Sequence, residues 1–205
     1  MARKSAKKTT KKATRKPTKK TVRKVARKAT RKAARKATRK VQAIPKGYRS
    51  VTPYLVLGHA AQAIEFYKQA FGAVELMRMQ APSGGKVMHA ELKIGDSIVM
   101  LGDDMGESGM RAPTSLGGAG SAVFLYVKDA DASFARAVRA GATVVRPLAD
   151  MFWGDRYGRL RDPFGHIWGI ATHLRDVPPA EMQKAAQAAL PQVQTPPPRT
   201  DLPSV

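Results

Sequence analysis

The chain has 205 residues, of which 37 are Lys or Arg against 15 Asp or Glu, a formal charge of +22. It contains no cysteine, which excludes disulfides, thiolate zinc sites and cysteine nucleophiles. No apolar run approaches the ~18 residues of a membrane helix, and the N-terminus lacks the apolar core of a secretory signal.

The charge is concentrated at one end. Residues 1–40 hold 20 basic residues and no acid; beyond them 17 basic face 15 acidic residues, a net of +2. A basic pair recurs every four residues throughout this arm. Lys4, Lys8, Lys12 and the pair Arg15-Lys16 open the ladder. Arg23-Lys24, Arg27-Lys28, Arg31-Lys32, Arg35-Lys36 and Arg39-Lys40 continue it. Ala, Thr, Ser, a few Val and Pro17 fill the gaps and cannot bury a core, so the tail 1–46 is expected to be disordered when free. If a polyanion induced helix, a four-residue step would advance ~400°, winding the charge around the axis. With no aromatics to stack on bases and no Asn for adenine, the arm is suited to phosphates and not to sequence. The expected partner is nucleic acid, DNA or RNA, bound non-specifically and with strong salt dependence. In composition the arm resembles histone H1-type tails, including those of bacterial nucleoid proteins; a solubilising tail and an organelle transit peptide are the alternatives, and a cytoplasmic, nucleoid-associated protein is expected.

From Tyr48 the pattern changes. "TPYLVLGHAAQAIEFYKQAFGA" (52–73) reads as a strand and an amphipathic helix with Ile64, Tyr67 and Phe71 on one face and Gly72 at its exit. Strands are predicted at 73–80, 86–94 and 97–101, the last two joined by a Gly95-Asp96 turn. Seventy residues on, "AVFLYVKDADASFARAVRAGA" (122–142) repeats the plan, Leu55 matching Leu125 and Tyr54 matching Phe124. Strands follow at 143–148, 155–161 and 166–173, with a type I turn at Asp162–Gly165. The glycines of 102–121 read as a flexible linker between modules at about 50–101 and 121–174. The result is an α+β domain over 47–176: two βαβββ modules around a concave cavity. Residues 177–205 add a short helix, capped by Asp176, and a proline-rich disordered tail.

The doubled plan, with "AIEFYKQAFGA" and "RDPFGHIWGIATH", resembles the vicinal oxygen chelate superfamily of glyoxalases, bleomycin-resistance proteins and dioxygenases. "HAELKIGDSIVML" and "FWGDRYGRLRDPFGH" are most similar to its PhnB-like branch. The resemblance implies a divalent metal held by His or Glu on the first, fourth, fifth and eighth strands. Those positions correspond here to Thr52, a residue within Val99–Leu101, Ala122 and Gly169. Aliphatic side chains and glycine offer no donor and threonine only a weak one, so no metal cofactor is expected.

His89 and Glu91 share a strand face: an acid/base pair, two ligands of an unusual site, or a half-exposed polar face. Trp153, Asp155, Arg156, Tyr157 and Arg159 combine aromatic surface with charge. Either they hold an anionic or aromatic ligand at a pocket mouth, or Trp153 closes the sheet edge and the arginines pair with Asp155 and Asp162. Tyr54, Phe124 and Tyr126 alternate in phase with Thr52 and Ala122 and are expected to line the cavity. His166 and His173 read as structural.

These features predict a small-molecule-binding protein of this fold without the usual metal ligands, tethered to DNA by its arm and acting as a homodimer. Two alternatives stay open. One is a glyoxalase-like lyase, isomerase or transferase with a displaced site at His89 and Glu91. The other is an architectural nucleoid protein that uses the fold as a dimeriser.

Overall fold

The computed structural model describes residues 41–82, 84–106 and 109–189; the basic ladder of 1–40 and the proline-rich segment of 190–205 lie outside the described residues. In chain order come β1 (Tyr54–Leu57), α1 (Ala60–Phe71), β2 (Val74–Gln80), β3 (Val87–Ile94) and β4 (Ser97–Asp103). A 3₁₀ turn (Pro113–Ser115) precedes β5 (Ala122–Tyr126), α2 (Ala130–Arg139), β6 (Thr143–Asp150), β7 (Asp155–Arg161) and β8 (Ile167–His173), and α3 (Pro179–Ala189) follows. Two four-stranded sheets result, ordered β1-β4-β3-β2 and β5-β8-β7-β6. In each, the outer first strand runs parallel to the fourth and the other pairs are antiparallel. The duplicated βαβββ plan is therefore the architecture.

The helices form where sequence periodicity puts an apolar stripe. Ile64, Tyr67 and Phe71 are buried on α1, and Gly72 ends it at φ 66°, with its N–H on the Lys68 carbonyl at 3.1 Å. The first turn of α1 is capped from outside the helix: Asp103, at the end of β4, accepts from the Ala60 N–H at 2.7 Å and the Val87 N–H at 2.6 Å. α2 carries its own cap, the Asp129 carboxylate accepting from Ala132 N–H at 2.9 Å.

One face of each sheet is buried against these helices. The modules join through an aromatic cluster in which Trp168 of β8 lies 5.3 Å from Tyr67 and 4.5 Å from Phe71. The Asp162 carboxylate anchors it, accepting from the Tyr67 hydroxyl at 2.7 Å, Trp168 Nε1 at 3.0 Å, and the Phe164 and His166 N–H groups at 2.9 Å. Asp162–Gly165 forms the expected turn, the Gly165 N–H reaching the Asp162 carbonyl at 3.1 Å.

Two expectations are corrected. The linker is tied down: Asp104 accepts from Gly106 N–H at 3.0 Å, Arg111 Nε at 3.0 Å and Ala112 N–H at 3.1 Å. α3 begins at Pro179 and not beside Asp176, whose carboxylate instead meets His173 Nε2 at 3.1 Å. Among the described residues no helix is long and apolar enough to cross a membrane.

Candidate functional site

The face of each sheet turned away from the helices is open, and strand register fixes what it carries. In the first sheet a row runs Tyr54, Met100, Glu91, Met77 across β1, β4, β3 and β2. In the second it runs Phe124, Gly169, Arg159, Arg146 across β5, β8, β7 and β6. Cross-strand partners share a face, so these rows are counterparts: Tyr54 with Phe124, Met100 with Gly169, and Glu91 with Arg159.

Two residues before Glu91 and Arg159 stand His89 and Tyr157, which again correspond. His89 stacks on Tyr54 at 5.8 Å and 29°, Tyr157 on Phe124 at 5.2 Å and 4°. The second stack depends on Gly169. A Cβ there would sit 2.9 Å from both the Phe124 and Tyr157 rings, so the rings occupy the space a side chain would need.

The second face is the more aromatic. Tyr126 leans on Phe124 at 5.0 Å, and Trp153 on Tyr157 at 5.8 Å. Phe124 and Tyr126 are 47% and 61% exposed while Tyr157 is 5% exposed, so the platform has a buried floor and an open top. Asp155 lies beneath it, 3% exposed. It accepts from the Tyr126 hydroxyl at 2.9 Å and Trp153 Nε1 at 3.1 Å through Oδ2, and meets His173 Nδ1 at 2.8 Å through Oδ1. Bonding to Asp155 first, and to Asp176 second, holds the His173 imidazolium above the usual histidine range. The same carboxylate raises the Tyr126 phenol. With three donors satisfied, Asp155 supports the platform and leaves little charge to offer a ligand.

The arginines do not pair with Asp155 or Asp162. Arg156 faces the helix side and bridges Asp131 and Asp150. Arg159 donates from Nε to the Tyr157 hydroxyl at 3.1 Å, its guanidinium 6.0 Å from that ring centre.

On the first face His89 Nε2 lies 3.4 Å from Glu91 Oε1, both groups part-buried. The Glu91 carboxylate, with burial adding to the effect, also pushes the Tyr48 phenol up to about 12. Tyr48 carried no sequence signal, because it reaches Glu91 from the segment before β1. His173 likewise gains two carboxylate partners that nothing in its local sequence announces, and His166 Nε2 lies 3.0 Å from the Val56 carbonyl oxygen.

At the positions implied for a metal, Thr52 precedes β1 and donates to the Arg49 carbonyl at 3.2 Å. Ala122 opens β5, and Met100 is the fourth-strand counterpart of Gly169. Among the described residues no group of three His, Asp or Glu side chains is placed to hold a metal ion.

Residues 50–170 match the sequence profile of the glyoxalase/bleomycin resistance protein/dioxygenase superfamily. The uncharacterized protein Rv0887c of Mycobacterium tuberculosis (strain ATCC 25618 / H37Rv) is 49% identical over 140 residues, covering 66% of this chain and 81% of its own. Among solved structures, the Arabidopsis thaliana gene product At5g48480 shares 31% identity at a TM-score of 0.50, covering 60% of this chain and 98% of that one. Protein PA1353 from Pseudomonas aeruginosa shares 25% identity at a TM-score of 0.51, covering 62% and 99%.

Proposed function

The chain belongs to the glyoxalase/bleomycin resistance protein/dioxygenase superfamily, and from that premise we propose that it binds a small organic ligand on its concave aromatic faces without a divalent metal, while residues 1–40 tether it to nucleic acid. Within the superfamily we assign it to the PhnB-like branch, on "HAELKIGDSIVML" and "FWGDRYGRLRDPFGH".

The observation that carries the metal-free reading is Gly169. The eighth-strand ligand position has no side chain, and the Phe124 and Tyr157 rings fill the space where one would project. Thr52 and Met100 supply only a hydroxyl and a soft thioether, weak donors for a hard divalent ion, and Ala122 supplies none. Sequestration needs only shape and apolar contact, which the aromatic faces offer. Tyr54 at 40% exposure, with Phe124 and Tyr126 more open still, supports a second copy closing over the faces with the ligand between. A homodimer would also present two arms, adding avidity for DNA or RNA. A nucleoid-associated location in the cytoplasm follows from the arm: 20 positive charges in 40 residues bind phosphates by releasing counterions.

The test is thermal unfolding of the full chain with divalent metals and with a panel of aromatic ligands. A ligand at a hundredfold excess over its Kd stabilises the native state by ~2.7 kcal/mol. Shifts with organic ligands alone support the binder; a metal-dependent shift overturns the metal-free reading.

A second reading rests on the linked groups Tyr48, Glu91 and His89, which place a carboxylate between a phenol and an imidazole on the first face. Such a set can move a proton in a lyase, isomerase or transferase reaction. This reading predicts a turnover that His89→Ala with Glu91→Ala abolishes.

A further inference from the structure

We infer that the concave face of the second module is a subsite for a planar aromatic acid: ring on the Phe124–Tyr157 platform, acidic group at Arg159 and Arg146. The inference rests on the ligand-binding reading above and names the chemistry of that site.

Charge comes first. Arg146, Arg159 and Arg161 lie on β6 and β7, and none has a carboxylate within ion-pairing distance among the described residues. Arg159 and Arg146 are direct cross-strand partners, and Arg161 is two residues along β7 from Arg159, so the three share a face. Arg159 spends Nε on the Tyr157 hydroxyl, and Arg146 reaches only Met151 Sδ at 3.7 Å. Their remaining N–H donors meet no acceptor among the described residues. Several arginines elsewhere on the domain find acids, Arg49 with Asp96, Arg78 with Glu75, Arg111 with Asp104 and Arg156 with Asp131, while Arg136 donates to the Ala70 carbonyl. A cluster left unpaired beside an aromatic surface is the arrangement that recognises an anion.

The carboxylate on this face does not oppose that. Asp155 is buried and consumed by Tyr126, Trp153 and His173.

Geometry then sets the shape of the ligand. Phe124, Gly169, Arg159 and Arg146 stand on adjacent strands, so Phe124 and Arg159 are two strand spacings apart, about 10 Å between backbones. Tyr157 bridges this span, stacked parallel to Phe124 at one end and hydrogen-bonded to Arg159 at the other. Because Tyr157 covers the face of Phe124 turned toward Arg159, a flat ring has to lie across the exposed edge of the stack, with an acidic group directed along Tyr157 toward the guanidinium. A long aliphatic acid would leave the platform uncovered, and a neutral ring would leave the arginines unpaired.

Isothermal titration of the full chain with three probes tests this, in enough salt to screen the basic arm. The probes are 2-naphthoate, its neutral relative 2-naphthalenemethanol, and cyclohexanecarboxylate, which has the charge but no flat ring. We expect 2-naphthoate to bind about tenfold more tightly than either control, the scale of one hydrogen bond to a charged group. Arg159→Gln with Arg146→Gln removes that advantage and leaves 2-naphthalenemethanol unchanged. Phe124→Ala weakens both naphthalenes alike. The arginines are exposed, so the double variant keeps the parent melting temperature; Arg159→Glu alone provides the same test by charge reversal. Equal affinity for 2-naphthoate and 2-naphthalenemethanol, or undiminished 2-naphthoate binding in the arginine variants, overturns the acid subsite and leaves the binder standing. Silence from all three probes and from the thermal panel overturns both.

Discussion

The two open faces are the same surface built twice with the charge reversed at one matched position. Tyr54, His89 and Glu91 on the first sheet occupy the register of Phe124, Tyr157 and Arg159 on the second. Both keep a ring stacked on the first-strand aromatic. They differ at the end of the row, where a carboxylate stands on one and a guanidinium on the other, and at its middle, where Met100 faces Gly169. Beneath the platforms the contrast repeats: Asp155 supports the second face from below, whereas a bulge between Val87 and His89 turns Val87 into the hydrophobic core of the first. Duplication has kept the backbone and the stacking and let chemistry diverge, so the faces should fail in different ways when disturbed.

The largest expected difference comes from removing the support. Asp155→Ala leaves Trp153 Nε1 and the Tyr126 hydroxyl without their partner and should destabilise the protein by about 2–3 kcal/mol, read by urea unfolding. Val87→Ala removes only apolar volume and should cost about 1 kcal/mol. Next comes the middle of the row. Gly169→Glu forces a side chain into two rings and should cost about 2 kcal/mol, by the same measurement. Met100→Glu on the half-buried counterpart should cost less, since it displaces a flexible chain; equal costs would show that the rings do not crowd the glycine.

A charge exchange sharpens the comparison further. Glu91→Arg should raise 2-naphthoate affinity at the first face and Arg159→Glu should lower it at the second, each about tenfold by titration. The smallest effect is that of pH. His173 titrates above its ordinary value because Asp155 and Asp176 hold its protonated form. Its contribution is complete below the unfolded value of ~6.5 and is lost as pH rises through the folded value. The stability difference between the parent and His173→Gln should therefore shrink from mildly acidic to alkaline pH. A difference that grew would mean that the imidazole is held neutral.

Much of this was legible in the sequence, for reasons that can be named. The seventy-residue repeat located β1 and β5 and put Tyr54 and Phe124 on matching faces, because alternation survives duplication. "DRYGRLR" coincides with β7, bounded by Gly154 and by the Asp162 turn. Contacts between segments were not legible. Asp155 finds His173 only because β7 and β8 pair in register, and Tyr48 reaches Glu91 across the sheet. Asp176 has the local look of a helix cap yet serves the imidazole before it, since the helix waits for Pro179. The glycines after β4 suggested slack, but one carboxylate, Asp104, gathers three donors there without any periodic signature.

The bond from Tyr67 to Asp162 has a consequence for separability. A helix of the first repeat donates its hydroxyl to a turn of the second, and its neighbouring rings complete the cluster around Trp168. Neither repeat owns its core. Cut between β4 and β5, each half would expose aromatic surface that only the other can cover, so the domain should melt in one transition and reassemble from halves only when both are present. The ancestor of a single repeat would have met the same need by pairing with itself.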